Sequence, residues 1–112
     1  MNDKFLLARE IKNFILKLDD ILINFPRKDI MMKKRIYEDS IWLLKLVYNA
    51  NNTDDASLKI KYKQECITFV NMLDFYIEYC YKKKYISLKI CNNLTNNIIK
   101  INKMIYGWIK NG

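Results

Sequence analysis

The sequence predicts an all-α fold, an up-down-up-down antiparallel four-helix bundle, from three observations. Apolar residues recur at intervals of three and four through four segments, which is the period of an amphipathic helix. The 112 residues include only 2 Gly and 1 Pro, too few for the turns of a β-sandwich, a barrel or a glycine-rich nucleotide loop. The breaks between the segments are short, so consecutive helices must be antiparallel neighbours. The length fits one domain, residues 1–112.

The first two predicted helices cover residues 4–23 and 26–49. Pro26 separates them, because the residue before a proline is pushed out of the helical region while the proline itself is tolerated in a first turn. The apolar stripe of the first helix consists of Leu7, Ile11, Phe14, Ile15, Leu18, Ile21 and Leu22. The second helix has one stripe of Met32, Ile36, Leu43, Val47 and Ala50 and a neighbouring stripe of Tyr37, Ile41, Leu44 and Tyr48.

The third and fourth predicted helices cover residues 55–83 and 87–110, after a loop at 51–55. Thr53, Asp54 or Asp55 is expected to cap the third helix and Ser87 the fourth, because each offers an oxygen to unpaired N–H groups. The heptad-like stripe of the third helix consists of Tyr62, Cys66, Phe69, Leu73, Tyr76 and Cys80. The stripe of the fourth helix consists of Cys91, Leu94, Ile98, Ile101, Ile105 and Trp108.

The composition argues against an enzyme. The absence of His removes the commonest general base and metal ligand, and adjacent carboxylates on a helix do not face each other. Cys66, Cys80 and Cys91 lack a fourth ligand and the close spacing of a zinc site, so they are expected to be reduced thiols of the core. We therefore expect no catalytic residues, no metal, no cofactor and no small-molecule substrate.

The hydropathy pattern predicts a cytoplasmic protein without a membrane partner. Arg9, Glu10 and Lys12 interrupt the apolar run that a signal peptide would need near the start of the chain. The most apolar window, residues 66–81, contains Asp74 and Glu78, so no uncharged stretch reaches the roughly 18 residues of a membrane span.

The charge of the chain is concentrated near its end. Residues 1–78 carry 13 basic and 12 acidic residues, whereas residues 79–112 carry seven lysines and no acidic residue. A second basic cluster opens the predicted second helix, and the bundle topology places both clusters at the same end. Such a surface is typical of phosphate binding that is independent of sequence and sensitive to salt. The predicted nucleic-acid-binding residues are Arg27, Lys28, Lys33, Lys34, Arg35, Lys82, Lys83, Lys84, Lys89, Lys100, Lys103 and Lys110.

Two groups of aromatic and other large apolar residues allow a structural or a functional interpretation. Tyr81 and Tyr85 flank the lysine run and either stack on bases or, as we favour, pack against the bundle. Met72, Phe75 and Tyr79 form a stripe offset from the core stripe of the third helix. This stripe indicates either a wide contact with two neighbouring helices or, as we favour, the subunit interface of a cyclic homo-oligomer.

Four short motifs resemble those of a known family, and the resemblance extends from about Phe5 to Lys110. They are Phe25-Pro26-Arg27 between the first two helices, Ala50 before a polar loop, Tyr85-Ile86-Ser87-Leu88 before the last helix, and Met104-Ile105-Tyr106-Gly107-Trp108 near its end. In this order and spacing they resemble the four-helix-bundle family that contains the accessory variability determinant proteins of diversity-generating retroelements.

The resemblance implies a function that the composition does not. It implies a barrel-shaped homopentamer that binds a reverse transcriptase and its template RNA and supports mutagenic cDNA synthesis. The sequence thus predicts a non-catalytic accessory protein whose basic surface meets template RNA and cDNA. The alternative is a stand-alone four-helix-bundle scaffold or protein-interaction module without a nucleic-acid role, in which the basic surface meets an acidic protein.

Overall fold

The computed structural model describes residues 3–111, with side chains described for residues 6–111. Four α-helices follow one another in this range: α1 (Asp3–Leu22), α2 (Ile30–Asn52), α3 (Ala56–Lys82) and α4 (Leu88–Asn111). A short 3-10 turn (Arg27–Asp29) precedes α2. No strand occurs within this described range, so the predicted all-α fold of four helices is confirmed.

Each helix packs against two neighbours. The contacts join α1 to α2, α2 to α3, α3 to α4 and α4 back to α1, which gives an elongated body of 43 × 24 × 19 Å. The main predicted stripe of each helix supplies most of the core, because burying one apolar face of each helix removes the largest apolar area from water. The bulkiest fully buried side chains include Phe14, Ile36, Leu43, Leu73 and Ile101.

The helix boundaries differ from the prediction at both ends of α2. Pro26 is extended (φ −62°, ψ 142°), and Asp29, the last residue of the 3-10 turn, does not have α-helical dihedral angles (φ −112°, ψ 29°). The helix α2 therefore begins after this turn rather than at Pro26. At its other end α2 continues through Asn52, which shortens the predicted loop.

The caps of α3 and α4 come from the predicted positions. Of the three candidates for α3, Asp55 caps the helix, since its Oδ1 accepts a hydrogen bond from the backbone N–H of Leu58 at 3.1 Å. Ser87 is confirmed as the cap of α4, because its Oγ accepts from the N–H of Ile90 at 3.1 Å.

The second stripe of α2 lies largely outside the core. Tyr37, Ile41 and Tyr48 are exposed, and the ammonium of Lys12 on α1 lies 5.6 Å from the ring centre of Tyr48. A bundle helix buries only the face toward its two neighbours, so a second stripe remains on the surface. Within residues 3–111 no helix combines the length and the hydropathy that crossing a bilayer requires.

A buried lysine joins α3 to the end of α4. Lys63 is only 3% exposed, and its Nζ donates to the carbonyl oxygen of Trp108 at 3.3 Å and lies 4.7 Å from the centre of that ring. Trp108 is therefore part of the packed bundle, whereas Trp42 on α2 is 44% exposed.

Candidate nucleic-acid interface

One end of the bundle brings together the loop between α1 and α2, the start of α2, the end of α3 and the start of α4. Asp29 joins these segments, because its Oδ2 accepts hydrogen bonds from the hydroxyl of Tyr79 at 3.2 Å and from that of Tyr85. The ring of Phe25 packs edge-to-face on Tyr85, with 4.8 Å between the ring centres. We call this end, which carries both basic clusters, the basic end.

One lysine from each basic cluster acts on Asp29. The hydrogen bond from Tyr85 is the main reason why the pKa of Asp29 is lowered, and Lys83 and Lys28 lower it further by charge attraction. Lys28 belongs to the first cluster and Lys83 to the second, so cations from both act on one carboxylate. The same hydrogen bond raises the pKa of Tyr85 to about 12.

Nine of the predicted cations lie at the basic end, as the topology requires. Most are exposed and Lys33 is half-buried. The nine are Arg27, Lys28, Lys33, Lys34, Arg35, Lys82, Lys83, Lys84 and Lys89. They come from two regions of the sequence, residues 27–35 and 82–89, which the fold brings to one end of the bundle.

The other three predicted cations lie along α4, away from this end. The Nζ of Lys100 lies 2.9 Å from Oε1 of Glu10 on α1, so its charge is neutralised in a contact between two helices. Lys103 is exposed further along α4, and Lys110 is in its last turn at the opposite end of the bundle. The structure therefore does not bring these three residues into the basic end.

Two lysines at the basic end form ion pairs with acidic neighbours, which offset part of the positive potential of this surface. Lys82 lies 2.9 Å from Glu78 one turn earlier, and this hydrogen bond raises the pKa of Lys82. Lys34 lies 3.9 Å from Glu38. The pairs are exposed, so water and salt screen them and an approaching phosphate can compete for the lysines.

The two tyrosines that flank the lysine run have different roles. Tyr85 is half-buried, with its ring against Phe25 and its hydroxyl on Asp29, so the packing interpretation is confirmed for it. Tyr81 is 39% exposed and borders an open concavity at this end of the bundle, so it is less packed than Tyr85.

The offset stripe of α3 is split between the bundle and the surface. Met72 and Phe75 are 39% and 50% exposed. Tyr79 is half-buried and its hydroxyl donates to Asp29 in the turn before α2, so it packs within the basic end. Only two of the three predicted interface residues therefore lie on an open face.

Trp42 extends this open face onto α2, which the sequence alone did not indicate. The hydroxyl of Tyr76 donates to Oδ2 of Asp39 at 2.5 Å, and this hydrogen bond fixes the register of α2 against α3. Trp42 follows Asp39 by about one turn and Met72 precedes Tyr76 by about one turn, so both lie at the same height on antiparallel helices. The ammonium of Lys45 lies 4.6 Å from the centre of the Trp42 ring.

No group of three or more Cys, Asp or Glu side chains within the described range is arranged to hold a metal ion. Burial raises the pKa of the Cys66 thiol to about 12 and that of Cys80 to about 11, so both remain protonated core residues at neutral pH. The basic end is suited to binding anions through positive charge.

The fold is similar to that of a solved structure. A crystal structure at 1.70 Å resolution, of a protein of unknown function from the S23 ribosomal protein family of Bacteroides thetaiotaomicron, superposes with a TM-score of 0.87. The match covers 97% of this chain and 99% of that chain at 14% sequence identity, so the likeness is one of fold. No protein-family model and no curated protein matches the sequence.

Proposed function

We propose that this protein is a non-catalytic accessory factor that binds nucleic acid through the basic end of its bundle. The observation that carries the proposal is the convergence of both basic clusters on Asp29, which makes one surface from two loops. Phosphate contacts made by such a surface release counterions, so they confer affinity without sequence preference. The bundle supplies a rigid support for these cations.

The more specific form of the proposal is a subunit of a diversity-generating retroelement. In this form the basic end holds template RNA and cDNA, and a reverse transcriptase binds elsewhere on the protein. The motif resemblance supports this assignment, as does the four-helix fold. The family name of the similar structure refers to the ribosome, which favours RNA as the first ligand to test.

Assembly into a cyclic homopentamer belongs to the same proposal. The open face formed by Trp42, Met72 and Phe75 supports it, because exposed apolar side chains on adjacent helices are typical of association surfaces. A light-scattering mass near five times 13.6 kDa would agree with it, and a monomeric mass at micromolar concentration would contradict it.

A charge-matched pair of variants tests nucleic-acid binding. Arg27→Gln, Lys84→Gln and Lys89→Gln together remove three cations from the basic end, and none of these residues is in an ion pair within residues 6–111. The control combines Lys61→Gln, Lys103→Gln and Lys110→Gln, all exposed and outside the basic end.

The readout is the anisotropy of a fluorescent structured RNA titrated with each protein at several salt concentrations. We expect the basic-end variant to bind more weakly and to reduce the salt slope by about two, since each lost phosphate contact removes roughly 0.7–0.9. The control should keep most of the slope. Equal effects of the two variants would show that total charge, and not this surface, determines binding.

The alternative is a scaffold without a nucleic-acid role. The exposed apolar face of α2 and α3 favours it, because such a face also suits a contact with another protein. Under this alternative the wild-type protein does not bind RNA at moderate salt. A reverse transcriptase gene and a repeated template region beside the gene would favour the retroelement assignment, and co-purification with that enzyme would test it directly.

A further inference from the structure

The turn between α3 and α4 has an unusual residue at its sharpest point. The backbone N–H of Lys84 donates to the carbonyl of Tyr81 at 2.9 Å, and that of Tyr85 donates to the carbonyl of Cys80 at 2.8 Å. This pair of bonds is the Schellman ending of a helix, which normally has glycine in the left-handed position. Here Lys84 occupies that position with a φ of 65°. Strained positions of this kind are found preferentially at functional sites.

The turn sends the three consecutive lysines in different directions. Lys83 lies on the side facing Asp29, with its ammonium 5.6 Å from the centre of the Tyr79 ring. Lys82 and Lys84, but not Lys83, border an open concavity of about 600 Å³ together with Tyr81 and Leu88. Lys82 is paired with Glu78, whereas no acidic side chain of residues 6–111 lies within ion-pair distance of Lys84.

The concavity combines positive charge with an accessible aromatic ring. Tyr81 is 39% exposed, whereas the hydroxyl of Tyr85, which also borders the concavity, is held by Asp29. An aromatic face beside cations is the arrangement that binds single-stranded nucleic acid, because every base can stack and every nucleotide carries a phosphate.

We infer that this concavity holds one unpaired nucleotide of the bound RNA, with its base on Tyr81 and a phosphate against Lys84 and Lys82. The inference rests on the proposed function, since it describes how the basic end engages its ligand. Lys84 and Tyr81 both border the concavity, so one nucleotide can reach both side chains. A base-paired nucleotide offers no free face to this ring, so the site distinguishes single-stranded from double-stranded RNA.

The test compares two RNAs with equal numbers of phosphates, a hairpin with unpaired loop nucleotides and a blunt duplex. Tyr81→Leu keeps the apolar bulk but removes the ring, and Tyr81→Phe keeps the ring. Tyr106→Leu is the matched control, because Tyr106 is an exposed tyrosine (52%) on α4 outside the basic end. Binding is measured by fluorescence anisotropy at fixed salt.

We expect Tyr81→Leu to weaken hairpin binding about fivefold or more and to leave duplex binding unchanged, since stacking on an aromatic side chain contributes substantially for each base. Tyr81→Phe and Tyr106→Leu should both bind the hairpin like the wild type. Lys84→Asn, which suits a left-handed position, should reduce the salt slope by about 0.7 without lowering the melting temperature.

Two results would overturn the inference while leaving the proposed function intact. One is unchanged hairpin binding by Tyr81→Leu, and the other is an equal loss on hairpin and duplex. Failure of the wild-type protein to bind either RNA would instead remove the proposed function, and the inference with it.

Discussion

Replacing Lys84 by glycine should make the protein more stable and its RNA binding weaker. A left-handed residue other than glycine costs roughly 1–2 kcal/mol, and Lys84 has a φ of 65°. Glycine removes this cost but adds freedom to the unfolded chain, which lowers stability by about 0.4–1 kcal/mol. The net gain is therefore about 0.5–1 kcal/mol, or about 2–4 °C in melting temperature for a domain of this size.

The neighbouring lysine provides a control with the opposite sign. Lys83 has a right-handed backbone (φ −79°, ψ −2°), so glycine relieves no strain there and costs about 0.5–1 kcal/mol. Thermal unfolding followed by circular dichroism measures both variants. A Lys84→Gly variant that melts below the wild type, or an equal shift of both variants, would show that the backbone of Lys84 is not strained.

RNA binding by the Lys84→Gly variant tests whether the Lys84 side chain contacts a phosphate. Loss of one phosphate contact should reduce the slope of log affinity against log salt by about 0.7–0.9. A variant that is more stable and binds as well as the wild type would indicate that Lys84 serves neither the fold nor the ligand.

The remaining predictions concern pH, assembly and charge. The pKa of Tyr76 is raised to about 12, mainly by burial, so between pH 10 and 12 the folded state retains a proton that the unfolded state has lost, and urea midpoints should fall as pH rises. Tyr76→Phe should show a smaller fall over this range. Met72→Lys with Phe75→Lys should leave the circular dichroism spectrum unchanged but reduce the light-scattering mass of any oligomer; an unchanged oligomeric mass would place the interface elsewhere. Glu78→Gln should strengthen RNA binding severalfold at low salt by freeing Lys82, and a weaker affinity would contradict the charge argument.

Helix identity and the main core face follow from the sequence because they depend on local spacing. A period of three and four residues requires no knowledge of the partner helix, so Leu73 and Ile101 can be assigned to the core in advance, and both are buried. The caps are equally local, since Ser87 reaches a backbone N–H only three residues away.

Only part of the candidate site can be predicted from the sequence. The topology alone places the two basic clusters at one end, because short loops force an antiparallel arrangement. It does not reveal that Asp29 accepts bonds from Tyr79 and Tyr85, residues about fifty positions later. In the sequence Asp29 is simply one negative charge within a basic run.

Sequence by itself thus determined the fold class, the approximate helices and the concentration of positive charge. Tertiary structure alone decided which tryptophan is buried, which predicted interface residues remain open, and that Lys100 is paired with Glu10. It also showed that Lys83 lies near Tyr79 and Asp29 whereas Lys84 borders the concavity, although the two are sequence neighbours with the same side chain. The physical reason is that periodicity and charge are properties of the chain, whereas pairing, exposure and direction depend on what another helix brings within a few ångströms.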